Sequence, residues 1–61
     1  MSLQDVIERI RKAEEVKITP KGTKVVIEIK TTAGWVTVIK DLERPMAEDI
    51  IRQANNRVIL G

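Results

Sequence analysis

The sequence predicts an α+β domain with element order α-β-β-β-α. Three observations carry that expectation. Apolar residues recur at helical spacing near each end of the chain. They alternate with polar residues through the middle. Turn-forming residues separate the alternating runs. The implied architecture is two-layered: an antiparallel three-stranded meander with two helices on one face, and a possible short fourth strand at the C-terminus. The 61 residues suffice for a single domain spanning positions 1–61.

Ser2 to Glu15 reads as the first helix, with Leu3, Val6, Ile7, Ile10 and Ala13 as its apolar stripe. Ser2 is placed to cap it, and Asp5 follows at capping-box spacing. Asp5–Arg9 and Glu8–Lys12 are opposite charges four residues apart. Glu14 and Glu15 oppose the negative end of the helix dipole, which favours a stop there.

Val16 to Thr19 alternates as a short strand, and Thr19-Pro20-Lys21-Gly22 reads as the turn after it. Lys24 to Lys30 is a second strand, with Val25, Ile27 and Ile29 on one face. Thr31 to Gly34 is the next turn, and Trp35 to Lys40 the third strand, with Val36 and Val38 facing the helices. Pro45 suits the first turn of a second helix, because its missing N–H has no partner there to lose. Met46, Ile50, Ile51 and Ala54 form the apolar side of that helix, Glu48–Arg52 is a four-apart pair, and Asn55-Asn56 is a left-handed stop. Arg57 to Leu60 is either a closing strand or a tail for a partner.

Composition narrows the functions. The chain has no cysteine and no histidine, which removes the disulfide, the thiolate metal site and the commonest general base. No cofactor, metal site or catalytic residue is expected. Short apolar runs, far below the roughly 20 residues of a membrane span, and a polar, charged segment after Met1 favour a soluble, cytoplasmic protein without a membrane partner. Net charge is only +2, a weak electrostatic signature for nucleic acid.

Most of the carboxylates have helical salt-bridge or dipole explanations. Asp41, Glu43, Glu48 and Asp49 crowd one stretch but match no calcium-loop spacing. The hydroxyls have no imidazole to activate them. Pro20-Lys21-Gly22-Thr23-Lys24 is a lysine-rich turn that can contact a phosphate, although one glycine is not a phosphate-binding loop. If Val25, Ile27, Ile29, Val36 and Val38 face the helices, then Val26, Glu28, Lys30, Trp35, Thr37 and Ile39 face away. Val26, Trp35 and Ile39 then make a half-apolar outer face, a candidate interaction patch. Its lone aromatic argues against a platform that stacks several bases.

Two motifs resemble a known family. Lys21-Gly22-Thr23-Lys24, followed by Gly34-Trp35-Val36-Thr37-Val38, is similar to the Lys-Gly-Ser-His stretch and Gly-x-Val-Thr-Val hairpin of the HicA family of small toxins, whose fold is double-stranded-RNA-binding-domain-like. Ile50-Ile51-Arg52-Gln53-Ala54-Asn55 resembles the end of that family's last helix, and Asp5-Val6-Ile7 the start of its first. HicA toxins cleave RNA with a histidine and pair with a HicB antitoxin. The position of that histidine falls at Lys24, so the resemblance implies RNA binding or an antitoxin-like protein partner, without nuclease activity. Double-stranded-RNA domains carry a lysine cluster at the start of the last helix. Here Arg44-Pro45-Met46-Ala47-Glu48-Asp49 is mixed in charge.

Three functions compete. A non-enzymatic RNA-binding module would contact phosphates through Lys21, Lys24, Lys30 and Arg44. A protein-interaction or homodimeric domain would use Val26, Trp35 and Ile39, or the C-terminal Val58 and Leu60. An engineered, idealised scaffold would need no function; the capped first helix, paired surface charges and well-formed turns fit that choice.

Overall fold

The computed structural model describes residues 2–60, apart from the side chain of Leu60. The order is α1 (Leu3–Lys12), β1 (Val16–Lys21), β2 (Lys24–Thr31), β3 (Gly34–Glu43), α2 (Arg44–Ala54) and β4 (Val58–Leu60). The four strands form one sheet in the order β3-β2-β1-β4. The meander is antiparallel, and β4 adds to β1 in parallel, so the C-terminal segment closes the sheet from within the chain.

Ser2 caps α1 by accepting a hydrogen bond from the Asp5 N–H at 3.3 Å. The helix ends at Lys12, three residues before the expected Glu15. Ala13 has already turned extended, and Asn56 Nδ2 donates to the carbonyls of Ile10 (2.7 Å) and Ala13 (2.9 Å). The Ile10 carbonyl also accepts from the Ala13 N–H at 3.3 Å, so Asn56 adds a second donor there and supplies one to Ala13 at the helix end. Glu14 and Glu15 therefore lie outside the helix. Its surface pair is Glu8–Arg11, one residue closer than the expected Glu8–Lys12.

The first hairpin also differs from expectation. Pro20 lies in β1 opposite Val25 rather than in the turn. It falls beyond Ile18, the last β1 residue that β4 reaches, so the missing N–H breaks no ladder on that side. The turn is Gly22-Thr23, with Gly22 left-handed at φ 66° and Thr23 not, the pattern of a tight hairpin with glycine first. In the second hairpin Gly34 takes φ 107°, and the Thr31 hydroxyl accepts from the Ala33 N–H and donates to the Gly34 carbonyl.

Pro45 lies in the first turn of α2, and Asn55 ends it left-handed (φ 54°), its N–H donating to the Ile51 carbonyl. The buried stripe is Ala47, Ile50 and Ala54, with Ile51 packed at its side. Met46, expected in that stripe, is 53% exposed. Positions 47, 50 and 54 follow the helical period more closely than one starting at 46. The surface pair is Asp49–Arg52 at 3.1 Å instead of Glu48–Arg52.

The core is one cluster between the helices and one face of the sheet. Val6, Ile7 and Ile10 come from α1, Ala47, Ile50 and Ala54 from α2, and Val16, Val25, Ile27, Ile29 and Leu42 from the strands. No polar or charged residue is buried among the described residues. The opposite face of the sheet carries no helix.

Candidate nucleic-acid interface

The open face follows from strand register, because residues directly opposite in an antiparallel pair share a face. Val16, Val25, Ile27 and Ile29 are buried toward the helices, so their neighbours point outward. The opposed pairs on the outer side are Lys17 with Glu28, Thr19 with Val26, Lys21 with Lys24, Glu28 with Thr37, Lys30 with Trp35, and Lys24 with Glu43. In the parallel pair, Ile59 stands beside Lys17 and is 46% exposed. Four lysines thus project from the face that carries Trp35, Lys17 and Lys30 beside it and Lys21 and Lys24 at the first hairpin.

Trp35 is 43% exposed, and the Lys17 ammonium lies over its ring, 5.7 Å from the centroid. That distance is within reach of a cation–π attraction. Lys30, directly across from Trp35, pairs with Glu15 at 3.4 Å. Lys24 pairs with Glu43 at 3.5 Å. Both pairs are half-exposed, so each is worth little and opens at low cost. Glu28 is the carboxylate in the middle of the face, where it accepts from the Thr19 hydroxyl at 3.3 Å.

The residues expected to contact phosphates divide into two places. Lys21 and Lys24 face each other across the first hairpin, and Arg44 opens α2 directly after Glu43, the partner of Lys24. Lys30 lies at the other end of β2, about 20 Å from Lys24 along the strand. The Lys17 position between those ends escaped sequence reasoning. Its place opposite Glu28 is set by the antiparallel register of β1 with β2, and the parallel β4 puts Ile59 on its other side.

The expected apolar patch also changes. Val26 and Trp35 are on the outer face, but Ile39 is not. It stands opposite Ile27 and packs against the core. The cause is an irregularity: from Glu28↔Thr37 to Ile27↔Ile39, β3 advances two residues while β2 advances one. The extra residue, Val38, reverses the alternation beyond it. A second extra residue beside Asp41 (φ 57°) brings Leu42 opposite Val25 and into the core. Val36, expected toward the helices, does stand opposite Ile29, but it is 43% exposed at the strand's start. Val58 is opposite Val16 and packs against the core, so it is not an outer residue. The backbone of Leu60 pairs with Ile18, and its side chain lies outside the described residues.

No cluster of three or more acidic ligands able to hold a metal ion occurs among the described residues. No described helix is long and apolar enough to cross a membrane. Comparison with protein-family models, with curated proteins and with solved structures finds no match.

Proposed function

We propose that this domain is a non-catalytic nucleic-acid-binding module, most suited to RNA, whose contact surface is the open face of the sheet. The observation that carries this is the placement of Lys17, Lys21, Lys24 and Lys30 on that one face, with Lys17 and Lys30 beside Trp35 and Lys21 and Lys24 at the first hairpin, against the carboxylates Glu15, Glu28 and Glu43. Arg44 extends the basic end beside the first hairpin. Phosphates attract such a face through release of their counterions. Cleavage is not part of the proposal, since no imidazole is present and Lys24 occupies the position where the HicA resemblance puts one.

Association through the same face is the competing use, favoured by the exposure of Trp35 and Ile59.

Fluorescence anisotropy with a labelled single-stranded RNA tests the proposal. Contact with three or four phosphates predicts a slope of log affinity against log salt of about −2 to −3. Affinity then falls roughly 20- to 50-fold between about 50 and 200 mM salt. Lys21→Ala and Lys30→Ala should each flatten the slope by about 0.7, and the RNA should be recovered intact. Absence of binding at low salt, or a slope indifferent to both substitutions, contradicts the proposal.

A further inference from the structure

We infer that Trp35 is a stacking site for one unpaired base, so that the open face selects single-stranded over double-stranded nucleic acid. This rests on the nucleic-acid reading above and specifies its ligand. Three features of the face converge on it. The Trp35 side chain sits at the start of β3 on the side without helices, 43% exposed, where nothing in the fold requires a large aromatic. The Lys17 ammonium occupies the position over the ring that a flat, electron-poor partner would take, 5.7 Å from its centroid. Lys30 lies directly across the strand pair from Trp35. A base entering over the ring displaces Lys17, and the displaced ammonium remains beside the phosphate that the base brings with it. Both charges keep a partner through the exchange.

The shape of the face supplies the selectivity. The deep, narrow major groove of an RNA duplex does not admit this face, and the bases of a duplex already stack on one another. An unpaired base can turn its π-face to an indole, and such a contact tolerates any sequence. One aromatic holds one base. The rest of the strand is held by lysines, along β2 from Lys30 toward Lys24, a path of about 20 Å on the outer side. Glu28 stands midway along that path and repels phosphate, so Glu28→Gln should tighten binding.

The test compares an oligouridine with a blunt RNA duplex of equal length at about 50 mM salt, a concentration at which backbone contacts are strong. Affinity is read by anisotropy and stacking by quenching of Trp35, the chain's single tryptophan. The expected result is tighter binding of the oligouridine, with quenching. Trp35→Leu, which keeps an apolar side chain but removes the π-face, should weaken oligouridine binding by about 5- to 100-fold. Trp35→Phe should lose less, and the salt slope of Trp35→Leu should stay that of the parent. Amide spectra of both variants verify the fold.

Equal affinity for duplex and single strand overturns the inference. So does a Trp35→Leu variant that binds like the parent while Lys30→Ala weakens binding; in that case the charge reading survives alone. Failure of every nucleic acid to bind removes the parent reading and this one with it. A concentration-dependent blue shift of Trp35 emission without RNA assigns the face to a second copy of the chain and also overturns it.

Discussion

Asn56 joins three parts of the chain. Its side-chain amide donates to the carbonyls of Ile10 and Ala13, and its side-chain oxygen accepts from the Arg57 N–H at 2.7 Å. The end of α1 and the start of β4 are therefore held by one residue, half-buried between them. Asn56→Ala leaves two helix-end carbonyls without that donor, a loss of about 1–3 kcal/mol. In a 61-residue chain, whose whole stability is on the order of 3–9 kcal/mol, that is a large share. Urea titration should show it in the midpoint, with the m-value unchanged. A midpoint equal to the parent's would mean that water replaces the amide at no cost. The Asn55-Asn56 pair is legible in the sequence as a helix stop, and Asn55 does that work. The role of Asn56 is not legible, because its partners are more than forty residues away.

At the scale of elements, β3 decides what the open face contains. Alternation from Trp35 onward places Thr37 and Ile39 on the same side, and that holds only if the strand is regular. The extra residue at Val38 turns Ile39 inward and leaves Thr37 outward. Thr37→Lys should then change stability by less than about 0.5 kcal/mol, the range of an ordinary surface substitution. Ile39→Lys should cost at least about 1–3 kcal/mol, because it sets an ammonium against the core. Thermal unfolding of the two variants separates the alternatives; equal effects would restore the regular strand. The same irregularities blunt β3 as an edge for pairing with another chain, and β4 at the other edge has only three residues.

The elements themselves were readable from periodicity and turn residues: both helices and the three meander strands stand where the pattern puts them, and the C-terminal segment, readable as a closing strand or a tail, pairs within the chain. What escaped was set by tertiary partners. Helix α1 stops early because of Asn56. Ala47 replaces Met46 in the core because of the phase of α2 against the sheet. Pro20 enters β1 because β4 ends before it. For the interface, Lys21, Lys24, Lys30, Val26 and Trp35 were visible as surface candidates. Lys17 joins them through the antiparallel register of β1 with β2, and Ile59 through the parallel pairing of β1 with β4, which no local pattern encodes.

At the scale of the whole molecule, the two faces of the sheet do different work. One is covered by α1 and α2 and holds the entire buried cluster. The other is left to solvent, with four lysines and a tryptophan at its surface. Between the helices, Arg11 Nη2 donates to the Gln53 carbonyl at 3.3 Å, near the last turn of α2, so Arg11 serves a helix end and a surface pair. Under the proposed function, that division assigns binding to the sheet rather than to the helices. Titrating ¹⁵N-labelled protein with single-stranded RNA tests it directly. The amides of Lys17, Thr19, Lys21, Lys24, Glu28, Lys30 and Thr37, with the Trp35 indole N–H, should move together and saturate at one affinity, while those of α1 and the middle of α2 stay in place. Shifts confined to α1 and α2, or none at saturating RNA, would contradict the assignment of the open sheet face as the binding surface.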